Sequence, residues 1–152
     1  MSPHEHRRAV WILTGVFAFA VIASIVHYTD NYVNFADFPQ PRSVDLPNVV
    51  IETWIAFTAL GVAGYLLFRR RPSDLALLLL AAYSASGLIG VGHYLAPGAT
   101  SMPWWRQGHV WLDIAGGAAM LAFAVWAARA RARGPATRPS AATSPATRTR
   151  RP

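Results

Sequence analysis

The chain has 152 residues, 53% of them hydrophobic and only 14% charged, which is too apolar for an ordinary soluble domain of that length. All 14 basic residues are arginine and the net charge is +7, but the arginines flank apolar runs and form no basic patch with interleaved aromatics, so nucleic acid is not expected as a partner. The absence of cysteine excludes disulfides, zinc–thiolate centres, iron–sulfur clusters and thiol catalysis.

Four runs approach the roughly 20 apolar residues that cross a bilayer. Residues 9–27, 48–68, 75–95 and 109–128 are read as spans of an all-α, integral membrane four-helix bundle. Residues 1–8 form a short N-terminus, and 129–152 a disordered basic tail rich in Gly, Pro, Ala, Thr, Ser and Arg. The first apolar run is longer than a usual signal-peptide core, so it is expected to remain as a span. Arg7 and Arg8 precede span one, Arg69, Arg70 and Arg71 follow span two, and Arg129, Arg131 and Arg133 follow span four. The positive-inside rule then puts both termini in the cytoplasm and the 27–48 and 96–108 loops outside, in a multi-pass protein of the plasma (inner) membrane. Trp54, Trp104, Trp105 and Trp111 would mark the outer interface, Trp11 and Trp126 the inner one. Arginines of the tail are expected to touch anionic lipid headgroups.

In the first outer loop Tyr28, Tyr32, Phe35 and Phe38 recur at helical spacing until Pro39 and Pro41 end the pattern. A short amphipathic helix at the membrane surface and a mobile loop are equally compatible with it.

The chemistry lies in a few ionisable residues inside the spans, each of which is a functional hypothesis in its own right. His109 and Asp113 are four residues apart and so share a helix face. With the topology above, His27 ends span one, Glu52 opens span two, His93 ends span three, and His109 and Asp113 open span four. All four helices would thus deliver an ionisable group to one outer layer, with Asp30 and Asn31 one turn beyond His27. Small residues accompany them at helical spacing: Ala56, Ala59 and Ala63 after Glu52, Gly90 and Ser86 before His93, Gly116 and Gly117 after Asp113. Such residues line faces where membrane helices approach closely.

Imidazoles and carboxylates drawn from facing helices suit a divalent transition metal: zinc, iron, manganese or copper. His27, His93, His109, Glu52 and Asp113 are the candidate ligands, with Glu52 or Asp113 as a general base on metal-bound water. Haem between His27 and His93 is a lesser candidate, because the layer is crowded with acids. Each residue also has an ordinary role, as a helix-end cap or dipole partner. The alternatives are therefore a metal-dependent or acid/base enzyme acting on a lipophilic molecule, a metal- or small-ligand-binding or transport component, and a structural subunit whose polar cluster orders the bundle. The Gly and Ala faces would also suit a homodimer or a larger membrane complex.

The segments His27-Tyr28-Thr29-Asp30-Asn31, Phe38-Pro39-Gln40-Pro41, Ala63-Gly64-Tyr65-Leu66-Leu67 and Gly92-His93-Tyr94 resemble those of a family of small, uncharacterised bacterial four-span membrane proteins over about residues 9–128. That resemblance implies the fold and brings no activity with it. In layout alone the chain is also similar to emopamil-binding and sigma-2-type proteins, which hold sterol-like ligands in an acidic pocket; no functional residue carries over from them.

Overall fold

The computed structural model describes residues 1–42 and 44–133. It contains four long helices: α1 Pro3–Val33, α2 Pro47–Arg70, α3 Asp74–Leu88, prolonged by a 3-10 segment Ile89–Leu95, and α4 Trp104–Ala132. All four are long and apolar enough to cross a membrane, α3 when counted with its extension. No strand occurs among the described residues. The tail beyond residue 133 lies outside them, and its first residues, 129–132, belong to α4.

Local chemistry sets the helix ends. Ser2 and Glu5 form a reciprocal capping box at the start of α1, with Pro3 at the first helical position. Pro47 plays the same part in α2. After Arg71 and Pro72, the Ser73 hydroxyl accepts the Ala76 amide and opens α3. The α2–α3 connection is thus only a few residues long, and these neighbours run antiparallel.

Helices α1 and α4 pack together, as do α3 and α4, α2 and α3, and α1 and α2, closing an up-and-down bundle. Near the ends of the described chain its centre is filled by Leu13, Phe68, Leu80, Met120 and Phe123. His6 Nε2 donates to the Phe68 carbonyl there, and Arg131 pairs with Asp74. This end, carrying both ends of the described chain and the 71–73 turn, is the terminal end; the opposite one is the loop end. Trp11, Trp104, Trp105, Trp111 and Trp126 are all exposed.

Glycine sets the approach of α3 to α4. A Cβ on Gly87 would collide with the Asp113 carbonyl, and one on Gly117 would stand 2.6 Å from the Ser84 carbonyl oxygen. The backbones therefore touch at the level of Asp113, which draws α4 against the end of α3.

Three expectations change. The amphipathic surface helix does not form; α1 instead runs on to Val33, followed by one 3-10 turn at Phe35–Asp37. Tyr28 and Phe38 are buried while Tyr32 is exposed, so the aromatic stripe is split between the bundle and its surface. The packing face of α2 is also different: Val50, Gly61, Gly64 and Phe68 are buried, whereas Glu52, Ala56, Ala59 and Ala63 are exposed. Glycine, smaller than alanine, takes the close contacts with Tyr83 and with the α3 backbone, turning Glu52 outward.

Candidate functional site

At the loop end, α1 and α4 are joined by two buried or largely buried acid–imidazole bonds. His27 Nδ1 lies 2.7 Å from Asp113 Oδ2, and His109 Nε2 lies 2.9 Å from Asp30 Oδ2. The helices are antiparallel, so His27 and Asp30 on one meet Asp113 and His109 on the other. His109 and Asp113 thus share a face, as their spacing requires, but each turns to a partner on α1.

The third histidine arrives by a change of helix type. Beyond Leu88 the chain tightens to a 3-10 helix through Gly90 and Gly92. A Cβ on Gly90 would stand 3.2 Å from Ile114 Cγ1 and 3.6 Å from His27 Cε1, so its absence lets this segment come close. His93 is thereby buried with its Nδ1 2.8 Å from the Pro39 carbonyl oxygen.

A carbonyl can only accept, so His93 Nδ1 carries the proton of that bond. The carboxylate of Asp113 likewise accepts a hydrogen bond from His27 Nδ1–H, and that of Asp30 from His109 Nε2–H. Each ring has one nitrogen committed to an acceptor, and in its neutral form must present a lone pair at the other. For His27 and His93 those free nitrogens converge, Nε2 to Nε2, at 3.3 Å. Two lone pairs cannot bond to each other; a proton or a metal between them can satisfy both. The Asn31 amide completes the group, its Nδ2 3.2 Å from His93 Nε2, while its Oδ1 accepts from Gln40 Nε2 at 2.6 Å. Asn31 stands one turn beyond His27 on the same face of α1.

A strap from the first loop roofs these groups. Phe38 is buried against the rings of His27, His93 and His109. Buried Arg106 holds it down: the guanidinium stacks 4.7 Å from the Phe38 ring centre, and its Nε donates to Asp30 Oδ2 at 3.0 Å. Asp30 therefore receives both Arg106 and His109. His109 Nδ1 is buried and has no hydrogen-bond partner among the described residues.

Beside the His27–His93 pair lies a cavity of about 70 Å³, roomy enough for several water molecules. His27, Asn31, Gln40 and His93 form its polar end; Pro41, Val44, Val49, Val50 and Ile89 form most of its wall. Asp113 and His109 do not line it.

The expected residues thus separate. His27 and His93 meet; Asp113 stands behind His27; His109 belongs to the Asp30–Arg106 group; Glu52 is exposed and makes no hydrogen bond through its side chain among the described residues. Among those residues, no set of three or more His, Asp or Glu side chains is arranged to hold a metal ion. Asn31, placed one turn beyond His27 by its spacing, joins the pair. Gln40, Pro39, Phe38 and Arg106 carry no sequence signal that would mark them as site residues, because loop residues have no periodicity to place them. Comparison with protein-family models, curated proteins and solved structures returned no match, so the chemistry is argued from this geometry alone.

Proposed function

We propose that the protein is a membrane-embedded metal-binding protein, with a divalent transition ion, zinc by its ligand chemistry, held between His27 Nε2 and His93 Nε2. The observation that carries this is the convergence of two lone-pair nitrogens at 3.3 Å. Bonds of 2.0–2.1 Å in a tetrahedral zinc site imply a nitrogen–nitrogen edge of about 3.3–3.4 Å. The acceptors behind the rings support it: Asp113 on His27 and Pro39 on His93 are the outer partners that orient metal-bound imidazoles. Asn31 is the third ligand. Turning the Asn31 and Gln40 amides over together would reverse their mutual hydrogen bond and put Asn31 Oδ1 where Nδ2 now stands, 3.2 Å from His93 Nε2. With three protein ligands, a fourth position left to water or a ligand would make the site of the open, catalytic kind rather than a structural one. Bound there, such an ion would polarise an oxygen of a ligand or generate a nucleophilic hydroxide from water.

The arginines support an orientation. Arg7, Arg8, Arg69, Arg70, Arg71, Arg129, Arg131 and Arg133 gather at the terminal end, while the loop end has Arg42 and the buried, acid-paired Arg106. By the positive-inside rule the terminal end is cytoplasmic, which sets the site in the outer leaflet of the plasma membrane.

A second reading, acid/base chemistry without a metal, is favoured by the Asp113–His27 bond of 2.7 Å. A proton shared between the two Nε2 atoms would then replace the ion. Haem is less well supported, since the 70 Å³ cavity beside these nitrogens is small for a macrocycle. Equilibrium dialysis of detergent-purified protein against zinc decides between the two: about one ion per chain, lost in the His27→Gln, His93→Gln double variant, supports the metal, and no binding by the wild type overturns it.

A further inference from the structure

Away from the histidines, two furrows run side by side on α3 and α4 toward the terminal end. One, of about 530 Å³, follows α4 from Ala118 through Ala122, Val125 and Trp126 to Arg129 and Arg133. The other, of about 650 Å³, lies between Leu75 and Leu78 of α3 and Val125 and Ala128 of α4, and reaches Asp74. Val125 lines both. Their volumes fall among those of ligand-binding clefts, roughly 300–1,000 Å³.

The first furrow has an apolar length and a cationic mouth. Its α4 residues recur at every third or fourth position, so they form one helix face. Alanine at 118 and 122 leaves that face hollow, and Trp126, set against the Phe123 ring at 5.6 Å, walls it. From Ala118 to Trp126 the helix rises about 12 Å, most of the roughly 15 Å of one leaflet. At the mouth Arg129 and Arg133 are exposed, one turn apart, and neither has an acidic partner among the described residues. Arg131 between them is paired with Asp74 at the neighbouring furrow. Two positive charges thus stand uncompensated over an apolar channel one leaflet deep.

That charge decides the occupant. Two parallel copies of the chain, related by an axis along the bilayer normal, would set residues of equal depth against each other. Arg129 and Arg133 would then meet their own counterparts, like charge on like. A phosphate with acyl chains reverses the sign at the mouth and fills the furrows below it.

We infer that this face of α3 and α4 is a binding site for one anionic phospholipid. Its phosphate bridges Arg129 and Arg133, whose forked donors suit phosphate oxygens, and its acyl chains lie on either side of Val125. Trp126, just inside the arginines, takes the interfacial level that tryptophan favours. In the orientation proposed above, the site lies in the cytoplasmic leaflet, which carries the negative surface potential. This site is independent of the ion proposed at the histidines.

Native mass spectrometry of the full chain in detergent, titrated with dioleoylphosphatidylglycerol or dioleoylphosphatidylcholine, tests it. The wild type is expected to take up one phosphatidylglycerol about thirtyfold more tightly than phosphatidylcholine, the contribution of two interfacial arginines. The Arg129→Gln, Arg133→Gln double variant should bind both lipids alike. Arg70→Gln, Arg71→Gln removes the same charge from exposed positions at the end of α2 and should keep the preference. Ala122→Trp fills the first furrow without altering charge and should weaken phosphatidylglycerol about tenfold. Should Ala122→Trp fail to fold, the two arginine pairs, all four exposed, decide alone. Equal losses in both pairs would mean diffuse attraction and overturn the inference. So would the absence of any preference in the wild type, unchanged binding in folded Ala122→Trp, or a dimer that this substitution dissociates.

Discussion

The behaviour of the site is decided by what stands behind each imidazole. Asp113 touches only the far nitrogen of His27, so its part in the account is orientation. Replacing a partner of this kind weakens metal binding about 10- to 100-fold. Asp113→Asn is expected to lose zinc affinity by that factor while keeping one site per chain, measured by competition with a fluorescent zinc chelator. Asn31→Asp should move the other way, because a carboxylate replaces a neutral amide oxygen as ligand and adds charge attraction. Glu52→Gln should change nothing, since Glu52 is exposed on the far face of α2. Tighter binding in Asn31→Asp together with loss in Asp113→Asn would separate a ligand from an orienting group, a distinction that an unspecific polar cluster would not show.

At the scale of elements, two devices bring the site together. The first is the glycine contact of α3 with α4. Gly117→Ala inserts a methyl group 2.6 Å from the Ser84 carbonyl oxygen, and overpacking of this sort costs about 1–3 kcal/mol. A lower melting temperature in detergent, with zinc affinity falling alongside, is the expected result. The second device is the strap, held by Arg106 on Asp30 and Phe38. In Arg106→Gln, hydrogen exchange of residues 35–42 should accelerate while α2 and the terminal half of α4 keep their protection.

These elements also show where sequence alone stops. The four spans were legible because hydrophobic length is a one-dimensional property. His27, His93 and Asp113 were legible as a common layer because antiparallel topology fixes depth. Helix rotation was harder. On α2, Ala56, Ala59 and Ala63 looked like a packing face, and the choice carried Glu52 with it. Gly61 and Gly64 permit closer contact and prevailed. On α1 the apolar run ends near His27, with Asp30 and Asn31 one turn beyond it. The helix continues to Val33, which buries Asn31 and brings Asp30 against His109 of α4. Pro39, Gln40 and Arg106 act through loop geometry or long reach, neither of which leaves a periodic trace.

For the whole molecule, the polarity of the two ends is as informative as the site. Charged residues at the terminal end are mostly exposed arginines, whereas the loop end buries Arg106, His27, His109 and Asp113 in mutual acid–base bonds together with Asp30. The native chain has no cysteine, so single introduced cysteines report topology without background. Ser101→Cys is expected to react with an impermeant maleimide added to intact cells, and Ser73→Cys only after lysis; the opposite pattern would invert the proposed orientation. In the proposed orientation, groups that would be costly in the bilayer centre would lie near one membrane surface; at this end of the bundle the strap and the paired acids satisfy them.

The central claim is that two histidines from α1 and α3 share one ion, and it is met most directly by zinc K-edge X-ray absorption on the purified, zinc-loaded wild-type protein. The account predicts a four-coordinate spectrum with two imidazole ligands and light nitrogen or oxygen atoms at about 2.0–2.1 Å, losing its imidazole signature in His27→Gln and in His93→Gln alike. A spectrum without histidine scattering, or one unaltered by either substitution, would contradict it.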